Sequence, residues 1–514
     1  MVQTAMLDSN SRANAFADPS LRELGAGIFF LSLGVLTVEI CLTRIFSFTI
    51  NYHFAYLTIA VALLGFGSAG SVLASYPDLG GTVRRRFVLA SSAAAVATIL
   101  ALAFSAVVRF NPVAIGSNPR ALATLALYYV VVTVPFFFAG VGVATVFSAR
   151  PERIGTLYAW DLLGAALGCA ASVPLIWRLE TPAAVCTGAV AIAVAAVALA
   201  RGDRRLRRWA LGALLATAVG GALLCHSATF PPSPGKFLSQ YLASPGVQHL
   251  FARWTPINRV DAVGWQVTPD SWRGSYAISG VSPKYQGRGP EFRMVGYDGG
   301  SFAVMYQWAG RDEELELFRH HVMASPYQIL SRPRTLIIGL GGGADALAGI
   351  ANGVGPMTGL ELNPVTVELG KRRFADFNGG LFNSPRLDVV AAEARHWVES
   401  HDERFDLIVL NSIDTLAALS SGAYVLAESY LYTVEAFGRY LDHLRDNGMF
   451  ALFSFDNNGV AGPTFIILRY LETLRRALEA RGARDPNRHL AVFSADERIP
   501  LVATLVKKTE FTDE

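Results

Sequence analysis

The sequence predicts two architectures in series: a multi-pass α-helical membrane domain, then a small antiparallel β domain leading into an α/β Rossmann-like domain. Three observations carry this expectation. Apolar stretches near the ~20-residue length that spans a bilayer recur before residue 226, where charges are few. From residue 335 onward, short apolar strands alternate with helical patterns, which is the signature of a parallel sheet with right-handed crossovers. At the end of the first of those strands, glycine occupies positions 339, 341, 342 and 343.

The apolar half accounts for the composition. Of 514 residues, 52% are hydrophobic without counting glycine, whereas a soluble domain reaches about half only with glycine included. Seven segments qualify as spans: 24–50, 53–74, 87–108, 122–148, 155–176, 183–200 and 209–225. Residues 1–23 form an N-terminal tail, and the first segment is too long for a signal-peptide core. Arg84, Arg85 and Arg86, the pair Arg150 and Arg153, and the cluster Arg201, Arg204, Arg205, Arg207 and Arg208 fall in alternate loops. The intervening loops carry only Arg109, Arg120 and Arg178, so the positive-inside rule puts the N-terminus and the arginine-rich loops in the cytoplasm.

Seven crossings from an inside start would leave the C-terminal half outside. The segment 209–225 is short and contains Gly212, Gly220 and Gly221, so it is expected to lie in the interface or re-enter, keeping the soluble half cytoplasmic. Glu39, Arg44 and Asp161 lie within spans and are expected to act as structural polar contacts between helices, Glu39 with Arg44 or a neighbouring helix; a transport pathway is the alternative.

Residues 226–258 contain Pro231, Pro232, Pro234 and Pro245 and suggest an irregular linker. The β domain is expected at 259–330, with strands at 259–263 and 301–306, and the Rossmann-like domain at 331–514. Its strands are expected at 335–340, 357–362, 387–391, 407–411 and 449–453, followed by a helix over 463–481 and a closing hairpin of 489–494 and 502–507. The chain stops at Phe511, Thr512, Asp513 and Glu514, just after an apolar run and with a helix N-cap pattern at Thr512, so a continuation beyond Glu514 stays open.

Candidate site residues gather at the carboxyl ends of those strands, where such sheets bind ligands. Gly339, Gly341, Gly342 and Gly343 allow a tight turn and a close approach of backbone to a nucleoside. Glu361 ends the second strand, where an acid can accept hydrogen bonds from both ribose hydroxyls. Glu393 follows the third strand and is placed to border an adenine. Asn411 to Asp414 close the fourth. A net charge of +3, with arginines clustered at membrane loops instead of forming one basic face, argues against nucleic acid. Cys41, Cys169, Cys186 and Cys225 have no metal or redox spacing, and the adjacent His320 and His321 point differently, so no metal is expected.

On these residues the chain resembles the spermidine synthase family, in particular its bacterial branch fused to an N-terminal membrane domain. The likeness runs through LYAWDLLGAALG at 157–168, YDGG at 297–300, RDEE at 311–314, GLGGGAD at 339–345, GLELNP at 359–364 and NSID at 411–414. The resemblance implies a methyltransferase-type α/β fold. It also implies decarboxylated S-adenosylmethionine or S-adenosylmethionine as co-substrate, and a small-molecule amine or other nucleophile as acceptor. The lipid bilayer is a further partner, and a homodimer is compatible with the family.

Carried over, the glycine loop packs on the co-substrate, Glu361 holds its ribose, and Glu393 stands where the family has aspartate. Asp345 lies one place later than the acid that follows the family's glycines. In the family's D-S-S-D segment the first aspartate helps deprotonate the amine. Here that place is Asn411, leaving Asp414 as the remaining catalytic candidate. An amide cannot act as a base near neutral pH. Three readings stay open: an aminopropyltransferase whose base is Asp414, Glu313 or Glu316; a methyltransferase relying on positioning; and a non-catalytic nucleoside-binding sensor or transporter.

Overall fold

The first apolar helix starts at Leu21, earlier than hydrophobicity alone suggests, because Ser20 and Glu23 form a capping box. The Ser20 side chain accepts the Glu23 N–H at 3.3 Å, and the Glu23 carboxylate accepts the Ser20 N–H at 2.8 Å. In the computed structural model the described residues are 19–51, 55–265, 279–411, 413, 428–455, 465–494 and 501–512. They divide into two units, Met1–Ser239 with Trp254–Asn258, and Gln240–Arg253 with Arg259–Glu514. Residues 1–18 of the N-terminal tail, His53, Ser412, Asp414 and Asp513 to Glu514 lie outside the described residues, and the last residues of the expected tail, from Leu21, already belong to the first helix.

The first unit contains six long helical elements: α1 (Leu21–Thr49), α2 (Ala55–Ser75), α3 (Val83–Val107), α4 (Pro119–Ala149), α5 (Ile154–Leu199) and α6 (Arg204–Ser227). By length and composition, all six can cross a membrane. The 46 residues of α5 exceed one crossing at ~1.5 Å per residue. Glu180 breaks it at φ 67°, ψ 163°, two residues before Pro182. Its two halves then run back along α1. Gly168 meets the Leu33 carbonyl and Gly188 meets Gly34, at one level of α1, while Trp160 meets Gly25 and Leu199 meets Gly27 near its start. Seven apolar helices result among the described residues.

Polar contacts define two ends of this bundle. Arg84 ties the starts of α1 and α3 to the end of α5: its Nη1 donates to the Leu199 and Arg201 carbonyls, both at 2.6 Å, and pairs with Glu23 at 3.4 Å. At the other end, Ser233 donates to the Phe110 carbonyl at 3.0 Å, Lys236 donates to the Ser47 carbonyl, and the buried Arg44 donates to the Ile257 carbonyl at 2.6 Å. Between the ends, Asp161 accepts the Ser32 hydroxyl, joining α5 to α1.

The final helix corrects one expectation. Instead of a short interfacial or re-entrant piece, α6 is a continuous helix of 24 residues, about 36 Å long, capped by Asp203 and packed along α3 and α5. It extends past the apolar count because Arg204 to Arg208 belong to its first turns, where the Asp203 carboxylate accepts the Arg205 and Leu206 N–H groups. Gly221 near its end reaches Cys186 and Ile99. By length and composition α6, like the other five, can cross a membrane.

The second unit opens with a four-stranded sheet, ordered β1 (Gln248–Trp254), β2 (Arg259–Trp265), β3 (Phe292–Tyr297) and β4 (Ser301–Tyr306), with β2, β3 and β4 antiparallel. Strand β1 and a short helix, Phe237–Leu242, lie in the stretch expected to be irregular. The prolines there flank those elements without interrupting them.

The larger sheet has seven strands: β5 (Thr335–Ile338), β6 (Met357–Glu361), β7 (Leu387–Ala391), β8 (Phe405–Asn411), β9 (Leu444–Phe455), β10 (Leu490–Ser494) and β11 (Leu501–Lys507). Their order is β10-β11-β9-β8-β5-β6-β7, parallel from β7 to β9 with an antiparallel β10/β11 hairpin at the edge. Counted from the first strand, the order is 3-2-1-4-5-7-6. Leu336, Ile338, Phe405, Ile408, Leu410, Phe450 and Leu452 are fully buried against Phe437, Tyr440 and Leu474 from the covering helices. The chain steps from β5 to β6 on one side and returns to β8 on the other, so the ends of β5 and β8 flank a topological switch point.

Candidate functional site

Strand β5 ends in a loop that turns tightly at three left-handed glycines, Gly339 (φ 78°), Gly341 (φ 51°) and Gly343 (φ 88°). Gly342 is needed for a different reason. A Cβ there would strike the Val304 carbonyl of β4, one on Gly341 would meet Ala303, and one on Gly339 would meet Ile413. The glycines thus let the loop close against the chain's own β4 strand and Ile413.

Glu361, at the end of β6, is tied to that loop. Its Oε2 accepts the Gly341 N–H at 2.9 Å and its Oε1 accepts the Asn363 N–H at 2.9 Å. The side chain is buried. Burial pushes its carboxyl above the usual range, while the backbone N–H bonds pull in the other direction. Both oxygens are oriented by backbone, the Leu362 N–H contributing as well, and the carboxylate's roughly four acceptor sites leave capacity for a hydroxyl donor. Tyr297, ending β3, feels the Glu361 charge, and its hydroxyl accepts the Thr366 hydroxyl at 3.3 Å.

Glu393 stands two residues beyond β7 as the N-cap of the helix Ala394–Ser400, accepting the Arg395 N–H at 3.0 Å and the His396 N–H at 2.7 Å. Since Ala391 pairs with Glu361, the two acids follow neighbouring strand ends. Its defined work is capping.

The most distinctive contact joins the ends of β5 and β8. Asn411 Nδ2 donates to both carboxylate oxygens of Asp345, at 3.0 and 3.1 Å, and lies 3.6 Å from the Met323 sulfur. Asp345 sits in the first turn of the helix Ala344–Ala351 and is 6% exposed. Burial pushes its carboxyl up to about 6, opposed by the Asn411 hydrogen bond and its own backbone N–H. Tyr306 at the end of β4 and Tyr327 of the short helix Ser325–Ile329 are buried phenols, raised by burial and then by the Asp345 charge.

Thus Gly339, Gly341, Gly342, Gly343, Glu361, Asp345 and Asn411 come together along one edge of the sheet, and Asp414 lies outside the described residues. Glu313 and Glu316 do not join them as buried acids: both are exposed, and Glu316 pairs with Arg319 and with His320 at 3.1 Å. His321 is buried, accepts the Met323 N–H at Nδ1, and is pushed down to about 4 by burial, which keeps it neutral. Among the described residues, no cluster of three or more histidine, cysteine or acidic side chains suits a metal ion. Tyr306 and Tyr327 were not singled out in the sequence; each is one aromatic among many, and only the fold brings them to Asp345.

No family model matches the chain. Over 141 residues it is 28% identical to the polyamine aminopropyltransferase of Korarchaeum cryptofilum, covering 27% of this chain and 41% of that one. Over 108 residues it is 32% identical to polyamine aminopropyltransferase 1 of Pseudomonas aeruginosa, covering 20% and 37%. The chain is spermidine synthase-like. It spans less than half the length of these two relatives. The solved spermidine synthase from Thermotoga maritima aligns with 51% of this chain and 74% of its own, at 17% identity and a TM-score of 0.33.

Proposed function

We propose that this is a membrane-anchored transferase whose soluble half binds decarboxylated S-adenosylmethionine or S-adenosylmethionine and passes an aminopropyl group to an amine. The observation that carries this reading is Glu361, a buried carboxylate held by two backbone N–H groups across the glycine loop. Its free lone pairs suit a ribose diol, and Glu393 borders the adenine side from the next strand. The donor supplies an electrophilic carbon on its sulfonium. The chain's part is to hold the nucleoside, exclude water and take up the proton of the incoming amine.

Calorimetry on the detergent-solubilised full chain tests this with both sulfonium donors and their thioether products. Glu361→Gln is the milder variant, because its amide oxygen keeps one of the two backbone N–H partners, and thermal melting checks that its fold is kept. Glu361→Ala would leave two buried backbone N–H groups without a partner, at about 1 to 3 kcal/mol each, and would confuse binding with folding. Losing charge-assisted bonds to the ribose, each about 1.5 to 3 kcal/mol, weakens nucleoside binding at least tenfold in Glu361→Gln. Unchanged affinity removes Glu361 from the site.

One observation favours a second reading, a nucleoside-binding sensor. The 24 residues of α6 are long enough to cross a membrane, and if it does, with the arginine-rich end cytoplasmic, the soluble half would lie on the other side, where a cytosolic donor is scarce. Nucleoside binding without transfer to any diamine supports the sensor.

A further inference from the structure

The buried carboxylate at the start of the Ala344–Ala351 helix has no place in the motif as usually spaced, because it comes one residue late. Its position in space is informative. Asn411, at the end of β8, gives its amide nitrogen to both Asp345 oxygens at 3.0 and 3.1 Å. That contact fixes which way the amide lies. With the nitrogen turned to Asp345, the Asn411 carbonyl oxygen faces elsewhere as an acceptor.

The two side chains together offer carboxylate lone pairs and an amide carbonyl, an acceptor set that suits the N–H groups of an ammonium. No lysine or arginine among the described residues pairs with Asp345. A carboxylate 6% exposed and lacking a cation is costly to bury, and a cationic ligand would compensate it. The buried phenols of Tyr306 and Tyr327 lie near enough to feel the Asp345 charge, and the Met323 sulfur lies 3.6 Å from the Asn411 nitrogen, so the groups beside the pair bring aromatic and thioether character that suits a short alkyl chain.

We propose that Asp345 receives the reacting amine of the acceptor in place of the absent strand-end acid, with Asn411 as its positioning donor. The acid has moved from the end of β8 to the helix that follows β5. This rests on the transferase reading for the chemistry and on the geometry for the binding. In the reaction, the substrate ammonium gives one proton to the Asp345 carboxylate. The freed nitrogen lone pair attacks the sulfonium-bound carbon of the aminopropyl chain. A C–N bond forms, the C–S bond breaks, and its electron pair stays on sulfur as a thioether, with the positive charge passing to the new secondary ammonium. Asp345 then returns its proton to water.

The exchange of positions has a consequence opposite to that of simple repair. An aspartate at 411 would set a second carboxylate about 3 Å from Asp345, and two acids that close share a proton instead of both ionising. Asn411→Asp is therefore expected not to improve amine binding.

The test is a titration of putrescine into the full chain in detergent, saturated with the thioether nucleoside left by aminopropyl transfer. Nucleoside binding is measured separately on each variant. Wild type is expected to bind the diamine. Asp345→Asn, nearly isosteric and still able to accept from Asn411, is expected to lose at least tenfold in diamine affinity with nucleoside affinity unchanged within twofold. Asn411→Asp is expected to bind the diamine no tighter than wild type. Asn411→Ala, which frees Asp345 to rotate, is expected to fall between wild type and Asp345→Asn. Unchanged diamine affinity in Asp345→Asn, an Asn411→Asp variant that binds tenfold tighter, or a wild type that binds nucleoside but no diamine each overturns the assignment while leaving the nucleoside site standing. Absence of nucleoside binding in wild type removes both this assignment and the transferase reading.

Discussion

At the scale of single residues, the Asp345 and Asn411 pair sets a pH dependence whose sign follows from burial. Among the described residues, the groups facing Asp345 are Asn411, which is neutral, and the phenols of Tyr306 and Tyr327, which stay protonated because their own ionisation is pushed up. Asp345 is raised from the ordinary 3.8 to about 6. Between these values the folded chain keeps a proton that the unfolded chain releases. The residue's contribution to stability is thus complete below 3.8 and is lost as pH rises through about 6. Amine binding runs the other way, since it needs the carboxylate: diamine affinity is expected to rise with pH and level off above about 6 in wild type. In Asn411→Asp the plateau is expected at higher pH, because the pair gives up its second proton later. A pH series of the same titration checks both, and identical profiles would separate Asp345 from the amine. The substitution at 411 is plain in the sequence, but its compensation is not, because Asp345 and Asn411 are 66 residues apart and only the pairing of β5 with β8 brings their strand ends together.

At the scale of elements, the glycine loop is a joint between the two sheets of the soluble unit. A side chain on Gly342 would strike the Val304 carbonyl, which is backbone and cannot swing away. Gly342→Ala is expected to force β4 from the loop, costing about 1 to 3 kcal/mol as overpacking does, and to lower both the melting temperature and nucleoside affinity. Thermal melting with and without the thioether nucleoside measures this; an unchanged melting point would show that β4 yields freely. The loop was legible as a turn for bound nucleoside, yet its contact with β4 was not, because β4 belongs to a different sheet. The parallel strands were legible since each carries a short, mainly apolar run, as with Leu336 to Ile338 of β5. Strand β1 was not, because four prolines nearby carried the signal for irregular chain. The reversal in α5 was legible as two spans, although its helix stays almost continuous and Glu180 alone takes the left-handed conformation.

At the scale of the whole molecule, helix number and arginine placement together dictate which side of a membrane the soluble half occupies. The ends of the bundle are distinct: Arg84, Arg201 and Glu23 meet at one, while Ser47, Phe110, Ser233 and Lys236 meet at the other. Arg84 to Arg86, Arg150, Arg153 and the five arginines from Arg201 to Arg208 all belong to the first end by their places in the helices. Short basic loops stay in the cytoplasm, so that end is expected inside and residue 228 onward outside. A reporter fused after Glu514 and expressed in a bacterial inner membrane is expected to show active periplasmic phosphatase and no fluorescence. Neutralising Arg204, Arg205, Arg207 and Arg208 is expected to weaken that bias, since the positive-inside rule assigns such charges to the cytoplasmic face. Cytoplasmic fluorescence from the unaltered chain would mean that α6 does not cross or that the bundle is inverted, and a cytosolic sulfonium donor would then have direct access to Glu361. Phosphatase activity would instead require the nucleoside to reach the outer face, which favours sensing of an exported or scavenged nucleoside unless a donor is supplied there.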